Sequence, residues 1–235
     1  MIWRKSWWEC RFRIMLGALC SVLISALGLF MLSHGGGDKG PIVFWEGYAT
    51  VLAGVAVPVM TLLMAGSGIN SQTSWGMLHG FHPSMHFLLS LPVSRRRALF
   101  VRSAIGALFT AVFILLMTVT VSVIAKFRGV DIPSSLVLAS VVFMMLGAFG
   151  FYGFSTFLTT LFDEFWAGVI GLALMGLVFG FGLALEQSPL NPVRVMAGSH
   201  YRQTGDVNWP VILLFALTGI AFISASVVVV ERKEY

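Results

Sequence analysis

The chain has 235 residues, of which 57% are hydrophobic and only 11% are charged. Soluble domains carry roughly 25% charged residues, so a chain with this little charge cannot cover a water-facing surface of its own size. The composition excludes a soluble globular protein and predicts an all-α integral membrane protein. The net charge of +5 does not indicate a nucleic-acid-binding protein, because basic residues commonly flank membrane helices on the cytoplasmic side.

The N-terminal residues, Met1–Arg13, combine tryptophans with basic residues. On a helix, Trp3 and Trp7 would share one face, and Glu9 would pair with the basic residues four positions before and after it. A short helix of this kind is typical of the lipid headgroup layer, so we predict an interfacial elbow at residues 1–13. The alternative is a simple basic flank of the first membrane helix.

Six apolar segments have about the 20 residues that a helix needs to cross a bilayer. In lipid, backbone groups must form their hydrogen bonds within each segment, which predicts that all six are helical. Pro58 predicts a kink in the second of them. We therefore expect a single transmembrane domain over residues 1–235, with spans near residues 14–32, 48–69, 98–124, 136–158, 166–185 and 211–230.

The distribution of lysine and arginine predicts the orientation of the chain. If the N-terminus is inside, ten of the 15 basic residues lie in inner segments and the other five lie in outer segments. This excess places both termini in the cytoplasm. The segment between the second and third spans, residues 70–97, is then an inner loop, and residues 186–210 form an outer loop before the last span.

Glycine recurs at spacings that bring helices close together. Gly147, Gly150 and Gly153 are spaced by three residues in the fourth span, and Gly176 and Gly180 are spaced by four residues in the fifth. Small residues at such spacings favour close helix contacts. Because glycine is common in membrane helices, these positions are compatible with either a dimer contact or ordinary packing.

The sequence lacks the motifs of an ATP-hydrolysing or metal-dependent enzyme. A P-loop requires Gly-Lys before a serine or threonine to hold phosphates, and no Gly-Lys pair occurs in the 235 residues. His79, His82 and His86 have helical spacing. Gly80 and Pro83 interrupt that helix, which favours a polar loop over a metal site. We predict no catalytic residue, metal site or cofactor site in this chain.

Two further classes of membrane protein are disfavoured. An intramembrane enzyme would require a general base within a span, and the five histidines fall in predicted loops. Ion-coupled transporters place ionisable groups inside the membrane, whereas residues such as Glu46, Arg102 and Glu186 fall at the ends of the predicted spans. Energy for any uphill transport would therefore come from another polypeptide.

The inner loop contains a short apolar segment followed by arginines. Pro83 suits the first turn of a helix, and Pro92 predicts that this helix ends before it. The helix over residues 83–90 would present an apolar face with Leu88 and Leu89, and the arginines begin at Arg95. Two interpretations fit this pattern: docking to a soluble domain, or an interfacial helix without a partner.

The same loop carries a family resemblance. Phe87–Arg95, which reads FLLSLPVSR, resembles the LLSLPVSR signature of ABC-2 type transporter permeases. Arg102 is similar to the basic residue that often follows this signature. Trp8–Arg11, placed before a membrane helix, is similar to the amphipathic start of the family, and the layout of six spans with both termini inside is also similar.

The resemblance implies the permease subunit of a bacterial ATP-binding-cassette exporter, a multi-pass protein of the cytoplasmic (inner) membrane. It implies pairing with a second permease copy or a homologous permease, and docking of a separate ATPase subunit that binds ATP and Mg. The short helix between spans two and three would be the coupling helix that contacts this ATPase. The expected contact residues are Pro83, Ser84, Met85, Phe87, Leu88, Leu89, Leu91, Pro92, Arg95, Arg96 and Arg97.

The expected function couples ATP hydrolysis by the partner to the movement of a substrate between the paired permeases. The apolar spans favour a lipophilic or amphipathic substrate, and the sequence points to no substrate-binding residue. The alternative is a non-transporting membrane anchor or assembly factor that recruits a soluble partner through the same loop. The ATPase activity of the partner distinguishes the two, since an anchor would bind the partner without stimulating it.

Overall fold

The computed structural model describes residues 2–31, 40–65, 95–162, 164–184, 188 and 190–232. Within these ranges the regular secondary structure is helical, with no strand. The helices are α1 (Ile2–Met31), α2 (Pro41–Val51), α3 (Val57–Ala65), α4 (Arg95–Phe127), α5 (Ser134–Leu161), α6 (Glu164–Ala184), α7 (Pro192–Met196), α8 (Ser199–Thr204) and α9 (Trp209–Arg232). A π-helical turn, Leu52–Ala56, joins α2 to α3.

Six helices in the described part of the chain are long and apolar enough to cross a membrane, and α2, the π-helical turn and α3 together form one of them. This confirms the predicted all-α fold with six candidate spans. The chain is therefore a multi-pass membrane protein.

The first helix runs without a break through Arg13, where the sequence predicts the end of an interfacial elbow. Its 30 residues extend over about 45 Å, which exceeds the hydrocarbon thickness of about 30 Å. The first turns of α1 therefore project beyond the apolar stretch Arg13–Phe30. The interfacial role of residues 1–13 stays a prediction.

The helix made of α2, the π-helical turn and α3 lies in the middle of the bundle. Buried residues make up 67% of this span, against at most 39% in each of the other five. Trp45, Leu52 and Met60 on this helix are fully buried, and side chains of α4, α5 and α7 pack around them. The other spanning helices turn large apolar side chains outward, as a lipid environment permits.

The π-helical turn directly precedes Pro58, the residue at which the sequence predicts a kink. Proline has no N–H to donate to the carbonyl four residues earlier, and its ring crowds that carbonyl. The N–H of Val57 instead donates to the carbonyl of Leu52, and this wider turn accommodates the proline within a continuous helix. Gly54, inside the turn, lies so close to the ring of Phe179 on α6 that a Cβ there would be 2.3 Å away.

The second spanning helix begins at Pro41 rather than near residue 48. The sequence pattern places Glu46 at a span end, whereas the structure places it inside α2, where it forms an ion pair with Arg202. The paired charge does not interrupt the helix, and the neighbouring Phe44 and Trp45 are buried.

The bundle has two ends with different contacts. The loop end is where α3 ends and α4 begins, and contacts from Arg13 to Leu63 and from Arg96 to Glu231 join helix ends there. The N-terminal part of α1 and the C-terminal end of α9 therefore project from the same end, as an even number of spans requires. The cap end is the opposite end, where α7 packs against the central helix.

Candidate functional site

The predicted partner-contact residues divide into two groups. Those from Pro83 to Pro92 lie outside the residues that the structure describes. Arg95, Arg96 and Arg97 form the first turn of α4, and the side chains of Arg96 and Arg97 are exposed. The described part of the loop end thus exposes two arginines of the predicted contact, Arg96 and Arg97, at the start of α4.

Arg96 forms an ion pair with Glu231 near the end of α9. Its Nη2 donates to Glu231 Oε2 at 3.1 Å and its Nε donates to Oε1, so the contact is bidentate. The hydrogen bonds and the carboxylate charge raise the pKa of Arg96. Because the Arg96 side chain is 71% exposed, solvent screens the attraction and the pair adds little to stability. The pair shows that the first turn of α4 lies beside the end of α9.

Arg13 joins α1 to the end of α3. Its Nη1 donates to the carbonyl of Leu63 at 2.9 Å, and the side chain is only 5% exposed. The last carbonyls of a helix lack partners within it and carry the negative end of its dipole, so a guanidinium is favourable there. The sequence pattern predicts that Arg13 ends the interfacial elbow and pairs with Glu9, and it contains no signal for the contact with Leu63.

Arg102 is almost fully buried within α4, at 1% exposed, although the sequence pattern places it at a span end. Helices approach closely around this position. The carbonyl of Ser103 accepts a hydrogen bond from the Tyr152 hydroxyl of α5 at 2.7 Å. A Cβ at Gly106 would lie 2.6 Å from the carbonyl oxygen of Met64 on α3. α4 therefore contacts both α3 and α5 within about one turn of Arg102.

These contacts connect five helices at the loop end. Arg13 connects α1 to α3, Tyr152 connects α5 to α4, and Arg96 connects α4 to α9. α3 and α4 bracket residues 66–94 in the sequence, and a named side chain contacts a neighbouring helix at each of these two helix ends. A displacement of either end would act on α1, α5 and α9 through these contacts.

At the cap end, two consecutive hydrogen bonds attach the segment after α7 to α2 and α5. Trp45 Nε1 donates to Ser140 Oγ at 3.1 Å, and Ser140 Oγ donates to the carbonyl of Ala197 at 3.0 Å. All three residues are buried, and a buried indole N–H requires such an acceptor. In its described part, the predicted outer loop 186–210 is therefore folded onto the bundle.

Asn191 begins α7 as its N-cap. Its Oδ1 accepts from the N–H groups of Val193 at 3.0 Å and Arg194 at 3.2 Å. Its Nδ2 donates to the carbonyl of Gly182 on α6 at 2.6 Å. Asparagine followed by Pro192 at the first helical position is a helix-start signal, so this short helix is detectable in the sequence within the segment predicted as a loop.

Among the described residues, histidine, cysteine and carboxylate side chains form no group of three that would hold a metal ion. His79, His82 and His86 lie outside the described ranges.

A comparison of the chain with protein-family models found no match, and a comparison with curated proteins found none. The function is therefore inferred from the residues of this chain and from their placement. Two features carry the inference: the run Phe87–Arg95, and the joined helix ends on either side of it.

Proposed function

We propose that this chain is the membrane-spanning permease subunit of an ATP-binding-cassette exporter of the ABC-2 type. The observation that carries the proposal is Phe87–Arg95, which resembles the family signature and lies between the second and third spans. A separate subunit would bind ATP and Mg and dock on this segment, since the sequence has no P-loop motif. The chain itself would hydrolyse no ATP.

The proposed assembly contains two permeases and their ATPase subunits in the cytoplasmic membrane of a bacterium. The second permease is another copy of this chain or a homologue. The substrate would be lipophilic or amphipathic and would move between the two permeases. Both termini and the segment around Phe87–Arg95 would face the cytoplasm, where the basic residues are in excess.

The contacts at the loop end support this proposal because they join the helices on either side of the docking segment to neighbouring helices. Residues 66–94 join Ala65 to Arg95, and the helices on both sides are tied to their neighbours by Arg13 and Arg96. α3 is the half of the most buried spanning helix that lies nearer to the docking segment in the sequence. A movement imposed on the docking segment by ATP binding would therefore act directly on the centre of the bundle.

The proposal is tested by isolating the tagged chain from its native membrane in mild detergent. Copurifying proteins are identified by mass spectrometry, and ATP hydrolysis by the eluate is measured. We expect a stoichiometric ATPase subunit whose turnover depends on this chain. A soluble partner that binds without stimulated hydrolysis would support the membrane-anchor function instead. Recovery of the chain alone, even after gentle crosslinking, would contradict both functions.

A further inference from the structure

A cavity of about 190 Å³ lies between α4 and α5. Its floor includes Thr110, Ile114 and Tyr152, each at most 3% exposed. Its rim includes Ala111, which is half-buried, and Phe149, which is 37% exposed. The cavity is therefore open on the outward face of the bundle rather than enclosed in its core.

The depth of the cavity determines which molecules reach it. The lining residues lie within positions 107–114 of α4 and 145–152 of α5. These positions are near the middle of the candidate spans Leu99–Phe127 and Ser134–Leu161. Since the hydrocarbon layer is about 30 Å thick, the cavity lies about 15 Å from either headgroup region. The medium at this depth consists of the ends of lipid acyl chains.

The chemistry of the lining favours a hydrocarbon ligand. The two hydroxyl groups of the lining already donate to backbone carbonyls: Thr110 Oγ1 to Gly106 at 2.9 Å, and the Tyr152 hydroxyl to Ser103 at 2.7 Å. The other lining residues are alanine, isoleucine, methionine and phenylalanine. Because a polar ligand would lose hydrogen bonds on entering such a site, an alkyl group is the favoured occupant.

We propose that this cavity binds the terminal part of one acyl chain of a bilayer phospholipid. An apolar cavity of about 150 Å³ stays dry and binds benzene, so a space of about 190 Å³ accepts several methylene groups. Unfilled space would leave the lining atoms without van der Waals partners, and an acyl chain entering from the adjacent leaflet restores them. The lining residues lie within candidate spans rather than in the docking segment, and the site does not depend on the proposed transport function.

The test uses the full chain, purified without partners and reconstituted in nanodiscs. The lipid is phosphatidylcholine with a photoreactive diazirine at the end of one acyl chain, and labelled residues are mapped by mass spectrometry after irradiation. We expect labelling to concentrate at positions 107–114 and 145–152. The comparison is with exposed residues near the middle of α6, namely Leu172, Leu174 and Leu177. Equal labelling of the cavity and of these α6 residues would overturn the proposal.

A variant that fills the cavity provides the second arm of the test. Ala111→Phe places a ring at the rim and is expected to abolish the excess labelling of positions 145–152. Leu108→Phe is the matched control, because residue 108 is on the same helix, is 61% exposed and does not line the cavity; it is expected to keep the excess. If Ala111→Phe does not purify as a monodisperse protein, Ala107→Leu makes the same test with a smaller side chain. Excess labelling that persists in the filled variant would also overturn the proposal.

Discussion

Arg13, Arg96 and Arg102 carry the same charge but have different surroundings at the loop end. Arg96 is exposed and pairs with a carboxylate, Arg13 is buried and donates to the end of a helix, and Arg102 is buried within α4. Removing each charge should therefore have a different effect on stability. The contact with the most direct consequence is that of Arg13, since its acceptor is the backbone of the central helix.

Arg13→Met removes the donor to the Leu63 carbonyl and keeps an unbranched apolar side chain. Because hydrogen bonds from charged groups contribute roughly 1.5–3 kcal/mol, we expect the free energy of unfolding to fall by about that amount. The measurement is reversible unfolding of the purified protein in mixed detergent micelles. Arg128→Met is the control, since it removes the same charge from an exposed residue and should change stability by at most about 0.5 kcal/mol. Equal losses in both variants would assign the effect to the charge rather than to the hydrogen bond.

Among the helices, glycine determines how closely α5 and α9 approach. A Cβ at Gly153 would lie 2.5 Å from the carbonyl oxygen of Gly219 and 2.7 Å from its Cα, and Gly150 lies against Phe215 in the same way at 3.0 Å. These glycines are used in packing within the chain. Gly176 on α6 differs, because no described atom lies within 4 Å of a Cβ built there.

Gly153→Ala and Gly176→Ala therefore form a matched pair of variants. A methyl group at position 153 meets backbone atoms, which cannot rotate away, so α5 and α9 must separate. We expect a loss of about 1–3 kcal/mol in the free energy of unfolding, typical of overpacking. Gly176→Ala should cause no loss, since alanine is the better helix former. A similar loss in both variants, measured by the same unfolding assay, would contradict the packing assigned to Gly153.

Gly54, in the π-helical turn, lies in close contact with the ring of Phe179 on α6. A Cβ at position 54 would overlap the ring at 2.3 Å, so Gly54→Ala is expected to destabilise the protein by about 1–3 kcal/mol. Phe179→Leu in the same chain should recover part of this loss, because a smaller side chain leaves room for the methyl group. The measurement is a double-mutant cycle of unfolding free energies, in which contacting residues show coupling above about 0.5 kcal/mol. Strictly additive losses would mean that the two residues do not act on each other.

For the whole molecule, the proposed docking of an ATPase on the segment between α3 and α4 leads to a prediction about assembly. Leu88→Asp or Leu89→Asp would place an unpaired carboxylate in an apolar docking contact, at a cost of several kcal/mol. Since about 1.4 kcal/mol corresponds to a tenfold change in affinity, we expect retention of the ATPase to fall at least tenfold. Membrane insertion should be unchanged, because the sequence places both residues between the predicted spans 48–69 and 98–124.

Ser90→Asp is the control for these variants, since it adds the same charge to the same segment at a position that is already polar. It should retain most of the partner binding. The measurement is the amount of ATPase that copurifies with each variant, together with transport in vesicles once a substrate is known. Wild-type retention and transport in both leucine variants would exclude this segment as the coupling helix.

The amino-acid sequence was sufficient to identify a membrane protein with six candidate spans, and to place Phe87–Arg95 between the second and third of them. These are local properties, because the length and hydropathy of one segment decide whether that segment can cross a bilayer. Helix boundaries were predicted less well where a charge finds a partner far along the chain. Glu46 is the example, since its ion pair with Arg202 allows α2 to begin at Pro41.

The packing of the helices was needed to show which helix is central, which arginines are buried and which glycines lie in helix contacts. Each of these depends on the neighbours of a helix, and all six spans have a similar apolar composition, so no single segment contains this information. The burial of Arg13 becomes evident only when α3 is placed beside α1. Gly153 and Gly176 likewise differ only because α9 lies against one of them. In lipid, apolar surface alone does not select helix neighbours, so close packing and hydrogen bonds between specific residues determine the arrangement.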